Sequence, residues 1–147
     1  MRKFIPLLLL TAFLSMPLHA QRQNERAKLQ IAGSQYEIIT ALIQNQEYSR
    51  IIGEYRQILS LDLSAENEMP LVQATVQIVR ALRQAGQYSL ASQMVDEALP
   101  KVRLSESKYP LLMSKGMVLK DQGKFEEAIE IYRKAQHFAP ALTAPEK

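Results

Sequence analysis

One short pattern recurs three times in this chain and constrains the fold more than any other feature. It is a turn-forming residue, a polar residue and an aromatic: Gln46-Glu47-Tyr48, Gly86-Gln87-Tyr88 and Gly123-Lys124-Phe125, with the leading residues 40 and 37 apart. The surroundings repeat in register. Four residues before each turn stand Leu42, Leu82 and Leu119, and seven before stand Ile39, Val79 and Gly116. Three residues past each aromatic come Ile51, Ala91 and Ala128, then Tyr55, Val95 and Tyr132 four further on, then Ile58, Ala98 and Ala135 after three more. Steps of three, four and seven keep residues on one face of a helix. Each copy therefore joins two amphipathic helices, and a period in this range means stacked supersecondary units.

The remaining periodicity agrees. Leu29, Ala32, Tyr36, Ile39 and Ile43 form one stripe, Val72, Thr75, Val79 and Leu82 another, and Phe125, Ala128, Ile129, Tyr132 and Ala135 the last. Polar breaks at 60–68 and 101–108 separate the hairpins, with Ser64, Ser105 and Ser107 as candidate helix caps and Pro70 tolerable in a first turn. Residues 21–31 read as a polar, frayed lead into the first helix, and 141–147 as a disordered tail. The expectation is an all-α chain of six helices in three hairpins, with no strand.

The N-terminus stands apart. Arg2 and Lys3 precede an apolar run from Phe4 to Leu14, and Pro17-Leu18-His19-Ala20 follows, the three-part pattern of a secretory signal peptide cleaved after Ala20. The run is shorter than the roughly 20 apolar residues that a spanning helix needs. Export to the periplasm or outside the cell is expected, with membrane association only if the signal stays uncleaved. Without residues 1–20 the formal charge falls from +3 to +1, because Arg2 and Lys3 leave. A nearly neutral chain offers no basic stripe for nucleic acid. There is no cysteine, and only His19 and His137, so thiol chemistry, thiolate metal sites and acid–base pairs lack material. Glu126, Glu127 and Glu130 read as a solvated helix face. No enzyme activity, cofactor or metal is expected.

The turn register, with Gly116 at a close crossing, Leu119 facing the partner helix, Ala128 and Ala135 as small contacts and Pro140 closing the unit, resembles the tetratricopeptide repeat (TPR) family. The second unit keeps Leu82, Gly86, Tyr88, Ala91 and Ala98 but has bulky Val79 at the crossing; the first keeps Leu42, Tyr48 and Tyr55. The family's first-helix tryptophan is missing, and Lys115 stands where an apolar residue is usual. The resemblance implies a short right-handed α-solenoid with repeats at 32–63, 64–104 (including a linker) and 105–140.

It also implies a non-enzymatic protein-binding module whose concave groove is lined by the first helix of each hairpin. Carried over by register, the groove residues are Tyr36, Thr40 and Ile43; Val76, Arg80 and Arg83; and Met113, Met117 and Lys120. Flexible Met side chains suit an adaptable surface, and arginine suits a partner's carboxylate. Many TPR arrays end in an extra polar helix, absent from this pattern, so Ile131 and Phe138 are expected at an exposed last face open to self-association. An exported adaptor of the bacterial cell envelope is the leading expectation. A small chaperone for secretion-system substrates and a membrane-anchored accessory subunit remain open beside it.

Overall fold

The computed structural model describes residues 18–140. Six α-helices run in order: α1 (Leu18–Gln44), α2 (Tyr48–Ser60), α3 (Glu68–Gln84), α4 (Tyr88–Ala98), α5 (Ser105–Asp121) and α6 (Phe125–Gln136), with a short 3-10 turn at Ala65–Asn67 before α3. Among the described residues there is no strand. Helices α1/α2, α3/α4 and α5/α6 form antiparallel hairpins. Each hairpin stacks on the last, α3 against α1, α4 against α2, and α5 against both α3 and α4. The architecture is an all-α solenoid of three hairpins. Of the expected signal peptide (residues 1–20), residues 1–17 lie outside the described residues and residues 18–20 form the first turn of α1. The expected tail (residues 141–147) also lies outside them.

The three turns share one geometry. Gln46, Gly86 and Gly123 all have positive φ, at 61°, 72° and 76°. In each, the next residue's N–H reaches back to the leucine carbonyl five residues earlier: Glu47 to Leu42 at 2.8 Å, Gln87 to Leu82 at 2.8 Å, and Lys124 to Leu119 at 2.9 Å. This six-residue closure satisfies carbonyls that a helix end would otherwise leave open, and it requires a left-handed residue. Glycine adopts that conformation freely; Gln46 carries a Cβ there at a cost of about 1 kcal/mol.

The apolar stripes merge into one core. Ile39, Tyr55, Val79, Met94, Val95, Leu111 and Val118 are each at most 1 % exposed and belong to a cluster crossing all three hairpins. Removing such a side chain from water contributes about 1.5–3 kcal/mol each. The last helix adds only Ala128 and Ala135 to the fully buried set. Gly116 explains how α5 and α6 close up: a Cβ there would stand 2.6 Å from Tyr132 Cδ1, so the ring occupies the space a side chain would need.

The helix starts differ from expectation. No side-chain cap comes from Ser64, and Ser105 is the first residue of α5 rather than its cap. Ser107 is buried inside α5. The capping groups are carboxylates from the preceding hairpin instead. Glu68 accepts from the N–H groups of Arg103 at 2.8 Å and Leu104 at 2.9 Å. Glu25 accepts from Ser64 N–H at 3.0 Å and Asn67 Nδ2 at 3.1 Å. The polar lead is thereby ordered: α1 is helical from Leu18, and Glu25 and Lys28 tie it to the connection after α2, Lys28 through the Asp62 carbonyl at 3.1 Å. A charged acceptor at a helix start satisfies two open donors at once and matches the local positive potential.

Candidate functional site

The stacking aligns α1, α3 and α5 side by side, so their unpacked sides line one face. Two clefts run along it. The first, about 330 Å³, lies between α1 and α3 and holds Thr40 and Ile43 opposite Ile78 and Ala81. The second, about 300 Å³, lies between α3 and α5 and holds Val76, Arg80 and Arg83 opposite Tyr109, Met113 and Met117. Apolar walls dominate both, with cations confined to the rim of the second.

Seven of the nine groove residues read from sequence thus face one cleft or the other. Tyr36 does not. It sits between α1 and α3, where its hydroxyl donates to the Leu71 carbonyl at 3.0 Å and lies 3.2 Å from Thr75 Oγ1. Burial pushes its pKa up to about 12 against the opposing Thr75 hydrogen bond, so the phenol stays neutral. Tyr36 is a joint between hairpins. Lys120 is exposed one turn beyond Met117, outside the lining of the cleft.

The cations also divide. Arg83 is engaged: its guanidinium grips Asp121 Oδ2 at 2.7 and 2.8 Å and touches Met117 Sδ at 3.4 Å. It closes one end of the cleft and is not available as an open carboxylate receptor. Arg80 is exposed and forms no ion pair among the described residues. Sequence reasoning missed Val79, Tyr109, Pro110 and Ser114 in the lining. Tyr109 and Pro110 lie near the start of α5, where the repeat pattern places no groove position. Val79 was assigned wholly to the hairpin crossing.

The opposite side is different in kind. Helices α4 and α6 leave a cleft of about 520 Å³ lined by Ser92, Gln93, Asp96, Lys115, Lys124 and Glu127. Lys115 reaches across it to hydrogen-bond Asp96, which accounts for a lysine at a usually apolar position. Among the described residues no group of three or more His, Asp or Glu side chains stands close enough to hold a metal ion. None of the helices described is long and apolar enough to cross a membrane.

Residues 109–141 match the family model of the tetratricopeptide repeat. The third hairpin is similar to a TPR unit. The match covers α5 from Tyr109 onward and all of α6, the half of the second cleft that carries Tyr109, Met113 and Met117, and the turn whose geometry the other two hairpins repeat. It supports a TPR-family protein and, with it, a protein–protein interaction module. Searches of curated proteins and of solved structures found no match.

Proposed function

We propose that the chain is an exported, non-enzymatic adaptor that holds a segment of another protein in the cleft between α3 and α5. The observation that carries this reading is the composition of that cleft: apolar walls from Val76, Tyr109, Met113 and Met117, and at the rim Arg80, a cation with no ion pair among the described residues. A segment with two apolar anchors and an acidic flank fits that chemistry, because the anchors leave water while the carboxylate keeps a charged partner. The N-terminal signal pattern supports placing the adaptor in the periplasm or outside the cell. Self-association through the last hairpin is a second reading, supported by large apolar side chains on the outer surface of α6: Phe125 is 57 % exposed and Ile129 is 48 % exposed.

Photo-crosslinking in the cell tests the first reading. A photoreactive residue replaces Met113 in the full chain, and a control copy carries it at Gln93 on the polar side. The proposal expects one dominant envelope protein captured from position 113, absent from position 93, and reduced about tenfold by Arg80→Glu, which reverses the rim charge. Equal capture from both positions, or capture insensitive to Arg80→Glu, overturns it. The same sample gives the mature N-terminus: a start at Gln21 supports export, and a retained Met1 with cytosolic clients overturns it.

A further inference from the structure

The two ends of the solenoid carry complementary halves of its own internal junction. This inference rests on the self-association reading and specifies its geometry. On α1, Ile31 and Ile38 are 50 % and 42 % exposed, and Ser34 and Ala41 between and beyond them are exposed as well. The 40-residue register sets these four on Leu71, Ala74, Ile78 and Ala81 of α3. That side of α3 faces the preceding hairpin: Ile78 and Ala81 stand across the first cleft from Thr40 and Ile43, and Ile78 is buried. The next, 37-residue step carries the four positions to Lys108, Leu111, Lys115 and Val118 of α5. Leu111 and Val118 are fully buried, Lys115 bonds Asp96 of the preceding hairpin, and half-buried Lys108 lies over Phe138 of its own hairpin. The exposed stripe on α1 is therefore the surface with which the later hairpins sit on their predecessors.

The other end presents the receiving surface. Phe125, Ile129 and Tyr132 of α6 match Tyr88, Ser92 and Val95 of α4, and Tyr48, Ile52 and Tyr55 of α2. All six of those residues are buried or half-buried, and the following hairpin reaches Tyr55 through Thr75 and shares a cleft with Ser92 through Lys115. On α6, Phe125 and Ile129 are exposed. The expectation that Ile131 and Phe138 form this open face is corrected here: both are half-buried, Phe138 beneath the Lys108 ammonium 5.3 Å from its ring centre.

We infer that copies of this chain associate head to tail, with α5–α6 of one copy receiving α1 of a second as α1–α2 receives α3 within the chain. A foreign partner would need only one open end; two ends that mate in the register of an existing junction select a second copy. The polar positions fit without conflict. Tyr132 takes the place of Tyr55, Lys120 that of Arg83 and Arg133 that of Arg56. Opposite them, where the internal junctions have Thr75, Asp121 and Glu97, the second copy offers Gln35, Gln44 and Gln57. Gln44 and Gln57 replace acids and Gln35 replaces a threonine, so no like charges meet at these three positions, and the contact is carried by apolar burial and neutral polar groups. Such a junction is reversible and responds weakly to salt. A contact between two different surfaces does not close on itself, so it grows into rings or open strings.

Sedimentation of the full-length gene product, as the expressing cell processes it, tests this with Ile38→Glu and Ile129→Glu. Both positions are solvent-exposed, and far-UV circular dichroism verifies that the variants keep their helices. The native chain should show a concentration-dependent series extending beyond a dimer, little changed between low and high salt. Each variant alone should be monomeric. Their equal mixture should form a dimer that grows no further, because only one good α6 face and one good α1 face remain. If Ile38→Glu still dimerises while Ile129→Glu does not, the contact is symmetric through α6: self-association stands and the head-to-tail geometry falls. A native chain that stays monomeric at every concentration overturns both.

Discussion

Tyr55 and Tyr132 occupy the same position in the first and third hairpins, yet one is fully buried and the other is half-exposed. The difference lies in what comes next along the solenoid. Helix α3 covers Tyr55 and supplies Thr75, whose Oγ1 stands 3.0 Å from the phenol oxygen. Thr75 donates its own proton to the Leu71 carbonyl at 2.9 Å, leaving the oxygen to accept from Tyr55. The Tyr55 pKa is raised, mainly by burial, which keeps it in the neutral form that can donate. Among the described residues no hairpin follows Tyr132. Its ring instead folds down over Gly116, filling space that Ile39 and Val79 fill in the other two units. A repeat's residues thus take their environment from the neighbour, and the end unit must satisfy its aromatic internally.

The largest expected effect follows from that contrast. Tyr55→Ala opens a cavity in the shared core and removes the Tyr55–Thr75 hydrogen bond, so it should cost about 3–5 kcal/mol. Tyr132→Ala should cost about 1 kcal/mol, since its ring is partly in water already. Urea midpoints at fixed slope measure both. Equal losses would show that register, and not the neighbouring hairpin, sets the energetics.

A swap between hairpins sharpens the comparison further. Gly116→Val drives a side chain into the Tyr132 ring and should destabilise by about 2–3 kcal/mol. Adding Tyr132→Val rebuilds in the third hairpin the Val79–Val95 pair of the second, and should recover more than half of that loss. A double variant no better than the single one would mean that the close approach of α5 and α6 is fixed by other contacts.

These contrasts also mark what sequence could reveal. The hairpins were legible because each turn needs a left-handed residue at one position and a leucine carbonyl five residues before the residue that follows it, and both leave a local imprint. Val76, Arg80, Arg83, Met113 and Met117 were legible as neighbours on one face because they follow that register, and they line one cleft. Tyr36 was not, since the group that holds its hydroxyl, Thr75, is 39 residues away. The helix caps failed for the same reason. Local scanning finds Ser64 and Ser105, while the donors at those helix starts are met by Glu25 and Glu68 from distant helices. Likewise, the open face of α6 depends on how α5 lies across it. Periodicity alone did not separate Phe125 and Ile129 from Ile131 and Phe138.

The carboxylate ties give a smaller effect than either core change and a distinctive one, because it depends on pH. Glu25 is lowered from its ordinary 4.5 to about 2, first by the Ser64 N–H, against partial desolvation, with Asn67 and Lys28 adding to the shift. Glu68 is buried, and burial alone would raise it, but the N–H groups of Arg103 and Leu104 outweigh that and leave it lowered. A carboxyl more acidic in the folded chain than in the unfolded one stabilises fully above its unfolded pKa. That contribution disappears as pH falls through the folded value. For Glu25 the window runs from about 4.5 down to about 2. Its side chain is 23 % exposed, so solvent screening reduces its share to about 1–2 kcal/mol. Glu25→Gln should therefore lower the urea midpoint at pH 7 and lose part of the native chain's acid sensitivity. The two proteins should converge near pH 2, where the native carboxyl is half protonated. Parallel stability curves across that window would mean that α1 is held to the connection after α2 by Lys28 and apolar contact alone, and that the first hairpin, like the third, relies on its own packing at its outer end.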